Sequence, residues 1–217
     1  MKELIIIGAG GFGREVKCLI DLINKRKATA EFSIVGFVDD GIAAGTMIHG
    51  LPVLGPIDFI NSTQKVVNLV LAIANPKIKK QIYQRFNQHN FPTIIHPSVS
   101  LENYNVVIGQ GCIICEGSVL SCDIEIGDFC VINWTCTIGH DVKINSFSSF
   151  MPAVNISGEV TVGEGVYVGA GATIINQLSI GEGSIIGAGA VVSKSIPAHC
   201  TAVGIPAKPI KFSNENE

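Results

Sequence analysis

The sequence contains few charged and few aromatic residues, since charged side chains make up 15% and aromatic side chains 6% of its 217 residues. The formal net charge of −3 leaves no excess of Lys and Arg, so we expect no nucleic-acid partner. No apolar run reaches the ~18 residues that a membrane span requires. Residues 4–7 are too short for the apolar region of a signal peptide, and we expect none.

Disulfide and metal-binding spacings are also missing from the sequence. The seven Cys are an odd number, and Cys112-x-x-Cys115 has no second CxxC beside it, so we expect no zinc site and no other metal. Unpaired thiols are typical of a reducing compartment, and this favours a cytoplasmic protein.

The second half of the chain has an uninterrupted six-residue repeat. A large apolar residue, here called the anchor, stands at every sixth position from Ile108 to Val192, and a mostly small or β-branched residue precedes it by two. A period of six fits neither an α-helix nor a single amphipathic strand, but it is a signature of a parallel β-helix. Three repeats close one triangular coil, so residues eighteen apart stack in columns. Cys112, Cys130 and Cys136 are then expected inside as small apolar filler.

The first half predicts an α/β domain instead. Residues 4–7 form an apolar strand, residues 8–13 read Gly-Ala-Gly-Gly-Phe-Gly, and residues 14–24 have an apolar helical face. This order places backbone N–H groups where a nucleotide phosphate binds, although a glycine-rich turn without a ligand is the alternative. Asp39 and Asp40 follow a second strand, residues 33–38, where a ribose or base is contacted, and a solvated turn is the alternative there.

Only three strands are predicted before residue 92, the third over residues 66–74, and a helix over residues 77–88 follows it. Three strands are about half of a dinucleotide-binding fold, which favours a mononucleotide over NAD and disfavours a small dehydrogenase. Pro52 and Pro56 are interpreted as breaks, and the basic stretches 25–27 and 77–85 as solvated helix ends or faces. The predicted domains are residues 1–92 and 93–210, with a frayed end at 211–217 and residues 195–209 leaving the coil.

His140 is the strongest candidate for catalysis among the five His. It follows the anchor Ile138 by two positions, so its side chain is expected to point outward from a rigid scaffold, where an imidazole is suited to act as a general base. Asp141 would orient the ring, provided that the chain bends there, because neighbours in a straight strand point to opposite sides. An ordinary exposed His is the alternative.

The eighteen-residue columns place small residues near this His. Gly158 stacks over His140, which leaves space for a ligand and offers a backbone N–H to a developing oxyanion. A second column consists of Pro152, Ala170 and Ala188. It would pack an extended ligand, although small residues also simply suit the corners of a coil.

Taken together, these features resemble the left-handed β-helix acetyltransferases. More narrowly, they resemble the branch that contains the nucleotide-linked amino-sugar N-acetyltransferases and the sialic-acid O-acetyltransferases. The motifs that carry the resemblance, besides the repeat and the glycine-rich turn, are Phe37-Val38-Asp39-Asp40, Leu71-Ala72-Ile73-Ala74-Asn75, Ile95-His96-Pro97, Ile138-Gly139-His140-Asp141 and Val203-Gly204-Ile205-Pro206-Ala207-Lys208-Pro209-Ile210. The resemblance implies a homotrimer with active sites between adjacent coils, and acetyl-CoA as the donor.

The resemblance also implies roles for individual residues. His140 matches the general base, Asp141 the acid that raises its basicity, and Asn133 a polar active-site position. The positions that match substrate-binding residues are Gly10, Gly11, Phe12, Asp39, Asp40 and Ala74. The positions that match acetyl-CoA-binding residues are Ser149, Gly158, Ala170 and Ala188. The chain departs from the family pattern at Phe12, Ala74 and Ser149, where members carry His, Gly and a second His, respectively.

The implied reaction is N-acetylation of a nucleotide-linked amino sugar, with a 4-amino-4,6-dideoxy sugar as the expected acceptor and surface polysaccharide or glycan synthesis as the expected purpose. O-acetylation of a sialic acid is one alternative. A non-catalytic, nucleotide-sensing trimeric scaffold is an alternative of another class.

Overall fold

The N-terminal domain of the computed structural model is built on a five-stranded sheet; the structure describes residues 1–63, 65–101 and 105–213. The strands are β1 (Lys2–Ile7), β2 (Phe32–Val38), β3 (Met47–Ile48), β4 (Leu51–Gly55) and β5 (Asn68–Leu71). Their order is β3-β4-β2-β1-β5, and every neighbouring pair is parallel except β3 and β4.

Two helices, α1 (Gly11–Arg26) and α2 (Pro76–Phe86), cover the two faces of this sheet. Alternate residues of β1 point to opposite faces, so Leu4 and Ile6 pack with the apolar side of α1, and Ile5 and Ile7 with that of α2. A central strand buried on both faces explains the continuous apolar run near the start of the chain.

The prediction of three strands was wrong in number, because β3 and β4 were missed. Pro52 lies in β4 and pairs with Met47, the first residue of the two-residue strand β3. The neighbouring Val53 pairs with Phe37 of β2, so β4 belongs to the sheet although it contains a proline. Pro56 ends β4 and precedes a 3-10 turn, Ile57–Ser62.

The rest of the chain forms a triangular parallel β-helix with three faces, which confirms the fold predicted from the repeat. The first face consists of Val106–Ile108, Ile124–Ile126, Lys143–Ile144, Thr161–Val162 and Ser179–Ile180. The second face consists of Ile94–Ile95, Ile113–Ile114, Val131–Ile132, Ser149–Phe150, Tyr167–Val168, Ile185–Ile186, Cys200–Val203 and Lys208–Phe212. The third face consists of Val119–Leu120, Thr137–Ile138, Asn155–Ile156, Thr173–Ile174 and Val191–Val192.

The anchors fill the inside of the coil, together with the small residues that precede them. Cys112, Cys130 and Cys136 are fully buried there, whereas Cys115 points outward and packs against the cluster around α1. The residue three positions after each anchor from Ile108 to Ile186 has a positive φ, from Gly111 to Gly189. This left-handed residue turns the chain at every corner, which is why Gly recurs at these positions.

The end of the coil differs from the prediction that residues 195–209 leave it. Cys200–Val203 pairs in parallel with Ile185–Ile186 and so extends the second face, and Lys208–Phe212 returns antiparallel to it. Residues 214–217, in the predicted frayed end, and residues 102–104, in the predicted connector, lie outside the described residues. Among the described residues, no helix has the length and apolar character that a bilayer crossing demands.

Helix α2 lies against the corner between the first and second faces and joins the two domains. The Tyr83 ring lies 4.5 Å from the Phe129 ring, which stacks on Phe147 at 5.2 Å between ring centroids. The interpretation of residues 77–85 as a solvated face was wrong for Lys79, which is only 1% exposed. Its Nζ donates to Phe129 O, Ser148 O and Ser149 Oγ at 2.7, 3.2 and 2.8 Å.

Candidate active site

His140 and Asp141 form a hydrogen-bonded pair on the corner between the third and first faces. His140 Nδ1 lies 2.7 Å from Asp141 Oδ2, and the two side chains are 55% and 58% exposed. Asp141 has a φ of 58°, so the chain bends where the pairing requires it. When Nδ1–H donates to the carboxylate, Nε2 holds a free lone pair, which is the state that a general base needs.

Gly158 lies directly over the imidazole of His140. A Cβ at Gly158 would lie 2.5 Å from His140 Nε2 and 2.6 Å from Cε1, so no side chain fits there unless the ring moves. Glu159 N–H donates to the His140 carbonyl at 2.8 Å and ties the two corners together. The imidazole therefore packs closely against Gly158, with the Nε2 side of the ring nearest, and Gly158 is itself buried.

Asn133 lies on another corner, between the second and third faces. It is 6% exposed, and its Oδ1 accepts a hydrogen bond from Trp134 N–H at 2.8 Å. The third face separates this corner from His140, so a single chain does not bring the two side chains together.

The candidate acetyl-CoA residues are divided among three places. Ala170 and Ala188 are exposed and stack on the same corner as Asn133, where Gly189 N–H donates to Ala170 O at 2.8 Å. Gly158 is on the His140 corner. Ser149 is fully buried, and its Oγ accepts a hydrogen bond from Lys79, so the structure does not bring it to either corner.

The glycine-rich turn lies at the carboxyl ends of β1, β2 and β5. Gly10 and Gly11 are exposed, and a Cβ at Gly10 would meet no atom within 4 Å. No side chain caps the N-terminus of α1, so its N–H groups are open to an anion, as in phosphate-binding turns. Gly13 is buried where a Cβ would lie 2.0 Å from Gly8 O, which explains the last glycine of the motif.

Asp39 and Asp40, at the same edge of the sheet, accept hydrogen bonds from nearby backbone N–H groups. Asp39 accepts hydrogen bonds from Ala9 N–H and Gly41 N–H, both at 2.8 Å. Asp40 accepts one from Ile57 N–H at 2.8 Å. Their remaining lone pairs are available to a ligand, so a structural role and a binding role are compatible.

Phe12 and Ala74 lie near the same edge and are half-buried. Phe12 follows the exposed glycines and packs against the apolar cluster under α1. Ala74 follows the end of β5. Together with the glycine-rich turn, these residues form an edge at which the uncapped N-terminus of α1 lies next to half-buried apolar surface.

Sequence reasoning missed a cleft between α1 and the corner of Asn133. It has a volume of about 430 Å³. Its lining residues are Gly11, Arg14, Glu15, Cys18, Leu19, Leu22, His49, His96, Cys115, Glu116 and Trp134. Trp134, the single Trp of the chain, is 42% exposed and follows Asn133 directly, and this was the available signal.

Two families match parts of the chain. Residues 3–86 match the family described as PglD N-terminal domain, and residues 159–194 match that described as bacterial transferase hexapeptide (six repeats). The GDP-perosamine N-acetyltransferase of Escherichia coli O157:H7 is 34% identical over 111 residues, 50% of this chain and 49% of the relative. The UDP-N-acetylbacillosamine N-acetyltransferase of Bacillus subtilis (strain 168) is 34% identical over 119 residues, 52% of this chain and 51% of the relative. The chain thus spans about half the length of these curated relatives.

Similar solved structures match nearly the whole chain. The acetyltransferase domain of PglB from Neisseria gonorrhoeae FA1090, in complex with acetyl coenzyme A, is 31% identical with a TM-score of 0.83, and the match covers 96% of this chain and 99% of that one. A His-to-Asn variant of perosamine N-acetyltransferase from Caulobacter crescentus, in complex with CoA and GDP-perosamine, is 25% identical with a TM-score of 0.86, covering 97% and 98%. These matches confirm the left-handed β-helix and the α/β domain before it.

Proposed function

Because the chain belongs to the family of left-handed β-helix acetyltransferases with a PglD-type N-terminal domain, we propose that it transfers the acetyl group of acetyl-CoA to the amine of a nucleotide-linked amino sugar. The observation that carries the proposal is the pair of His140 and Asp141, joined at 2.7 Å beside Gly158 on a rigid corner. The relatives described above are named as N-acetyltransferases, which favours an amine over a hydroxyl acceptor. A 4-amino-4,6-dideoxy sugar for surface polysaccharide or glycan synthesis is the proposed acceptor.

In the proposed reaction, the amine nitrogen attacks the thioester carbonyl, the new C–N bond forms and the C–S bond breaks. His140 Nε2 accepts the proton that the amine loses, and the leaving CoA thiolate takes up a proton. Asp141 holds the ring through Nδ1 and stabilises its protonated form. General-base help of this kind is worth ~10²–10⁴-fold, and alignment of the two substrates supplies much of the remainder.

The domains divide the work in this proposal. Residues 1–92 hold the nucleotide, with the open N–H groups at Gly10 and Gly11 on the diphosphate. The base and ribose lie near Phe12, Asp39, Asp40 and Ala74. Residues 93–210 carry the acetyl transfer.

The active form that we propose is a homotrimer. His140 is exposed on a convex corner, whereas a catalytic base works best where water is excluded. A different corner of the same coil carries Asn133 and the candidate acetyl-CoA residues Ala170 and Ala188. Packing of one coil against the next would bring the His140 corner of one copy to the Asn133 corner of its neighbour, with acetyl-CoA between them.

We propose a cytoplasmic location, which the seven free Cys support. Five of them are buried, and Cys112, Cys130 and Cys136 serve as small apolar filler in the coil. Thiols used in this way need no oxidising compartment.

Release of CoA thiol in the presence of acetyl-CoA and UDP-, dTDP- or GDP-linked amino sugars tests the proposal. We expect thiol release with at least one amine acceptor and none with its hydroxyl analogue. Thiol release with a sialic acid as the only active acceptor would indicate O-acetylation and contradict the proposed N-acetylation. No release with any acceptor, while a nucleotide still raises the melting temperature, would favour the non-catalytic scaffold.

A further inference from the structure

The cleft beside α1 joins the open N-terminus of that helix to an aromatic residue on the coil. Gly11 and Arg14, from the first turn of α1, line it together with Glu116 and Trp134, which belong to two successive coils. The indole is 42% exposed, although large apolar side chains are usually covered. A ligand whose phosphates lie at Gly11 would therefore extend its next group along the cleft toward Trp134.

A buried imidazole lines this cleft, and none of the described residues forms a hydrogen bond with one of its two nitrogens. His96 is 3% exposed, and its Nδ1 accepts a hydrogen bond from Ser98 N–H at 3.1 Å. Because Nδ1 is an acceptor, the proton of the neutral ring lies on Nε2. The nearest acidic oxygen to Nε2 is Glu116 Oε2, at 4.0 Å, which is too long for a hydrogen bond.

The Ser98 hydroxyl makes a second contact with Nδ1 and can donate to it in this tautomer. Ser98 Oγ accepts a hydrogen bond from Gly117 N–H at 3.3 Å and lies 2.7 Å from His96 Nδ1. His96 is thus held as a rigid Nε2–H donor, and the Glu116 carboxylate, with a side chain 67% exposed, is a nearby acceptor. A donor and an acceptor 4.0 Å apart leave room for one hydroxyl or amide group of a ligand to bind both.

We infer that this cleft recognises the sugar ring of the acceptor, with Trp134 as the platform for the ring and with His96 and Glu116 as the pair that reads its polar substituents. Sugar rings present an apolar C–H face and polar edges, which fits one aromatic side chain beside a fixed donor and acceptor. The inference rests on the proposed function. In the proposed trimer, the amine then projects toward His140 of a neighbouring copy.

Two dissociation constants distinguish binding of the sugar from binding of the nucleotide. One is the Kd of a nucleoside diphosphate, and the other is the Kd of the same diphosphate linked to the amino sugar. For Trp134→Ala we expect the Kd of the nucleotide sugar to rise ~10-fold or more, with the Kd of the diphosphate alone within about 2-fold. Trp134→Phe should recover most of the affinity, because it keeps an aromatic face. Glu116→Gln should raise the KM of the acceptor ~10-fold and leave the KM of acetyl-CoA unchanged.

The matched control is Glu3→Gln, which makes the same chemical change at the start of β1, away from the glycine-rich turn that follows this strand. It should alter neither Kd nor KM. A Trp134→Ala variant that binds the nucleotide sugar as tightly as the wild type would overturn the inference, as would an equal loss for the diphosphate alone. If the wild type releases no thiol with any acceptor, the proposed function fails, and the two Kd values still decide the role of the cleft.

Discussion

Lys79 offers a sharp physical test of how the two domains are joined, because it is a buried charge without a charged partner among its hydrogen bonds. All three of its acceptors are neutral oxygens, those of Phe129, Ser148 and Ser149. Burial lowers the pKa of Lys79 from 10.5 to about 8. In the unfolded chain the amine regains an ordinary pKa, so folding and protonation of Lys79 are linked.

The sign of the linkage follows from the lowered pKa. Below pH 8 the amine is charged in both states, and the folded state bears the full cost of burying the charge. As the pH rises from 8 to 10.5, the folded state loses its proton first, and the free energy of unfolding increases. At ~1.4 kcal/mol for each pKa unit, the shift from 10.5 to about 8 corresponds to about 3 kcal/mol.

Urea unfolding of the wild type and of Lys79→Met at several pH values from 7 to 10.5 measures this term. The substitution keeps the apolar stem but leaves Phe129 O and Ser149 Oγ without their donor, which costs about 1–3 kcal/mol each at every pH. The difference between the two free energies should therefore change by about 3 kcal/mol in favour of the wild type as the pH rises.

Lys80→Met is the matched control, since the neighbouring Lys80 is half exposed and pairs with Glu164 on the surface. Its free energy of unfolding should follow that of the wild type at a nearly constant offset. Parallel curves for the wild type and Lys79→Met over the whole range would show that the buried amine does not titrate as described.

Three further substitutions test the candidate site and the turn. Asp141→Asn should lower kcat ~10-fold or more without changing the KM of acetyl-CoA, because the ring loses the carboxylate at 2.7 Å that fixes its tautomer; steady-state kinetics measure this, and an unchanged kcat would argue against the pair. Gly158→Ala should lower kcat ~10-fold at an unchanged melting temperature, since the added Cβ displaces the His140 ring and not the backbone; equal kcat values would contradict the contact. Gly13→Ala should destabilise the protein by about 1–3 kcal/mol, measured by thermal unfolding, because its Cβ would lie 2.0 Å from Gly8 O; an unchanged melting temperature would refute this close contact.

The six-residue repeat predicted the coil and the residues inside it well, because the repeat arises from local structure. Each six-residue unit turns one corner, so the phase of the anchors alone placed Cys112, Cys130 and Cys136 inside. The same phase put Gly158 over His140, since residues eighteen apart stack through the coil. Even the bend between His140 and Asp141 follows the repeat, because Asp141 occupies the left-handed position of its corner.

The features that were missed depend on contacts between distant parts of the chain. Lys79 is in a basic stretch and resembles a surface residue until α2 docks on the coil and buries it. The docking of α2 also buries Ser149, although the repeat alone places this residue on the outside of the coil. The cleft at Trp134 forms because α1 lies next to a coil corner some 110 residues later in the chain. No local sequence pattern predicts that contact.

The strand β4 was missed for a related reason. A proline reads as a break in a strand because it cannot donate a hydrogen bond. Here Pro52 sits in a hairpin with β3, and the next residue, Val53, makes the pairing with β2. Gly36 of β2 allows this approach, because a Cβ there would lie 2.5 Å from Pro52 O.

The central claim is that His140 is the base of an acetyl transfer, and the turnover number of His140→Asn tests it most directly. The matched control is His199→Asn, which changes another His beside a carboxylate, the half-buried His199 next to Glu182. We predict that His140→Asn lowers kcat by ~10²–10⁴-fold, with acetyl-CoA binding and the melting temperature unchanged, and that His199→Asn keeps the wild-type kcat. Near-normal turnover of His140→Asn would contradict the assignment.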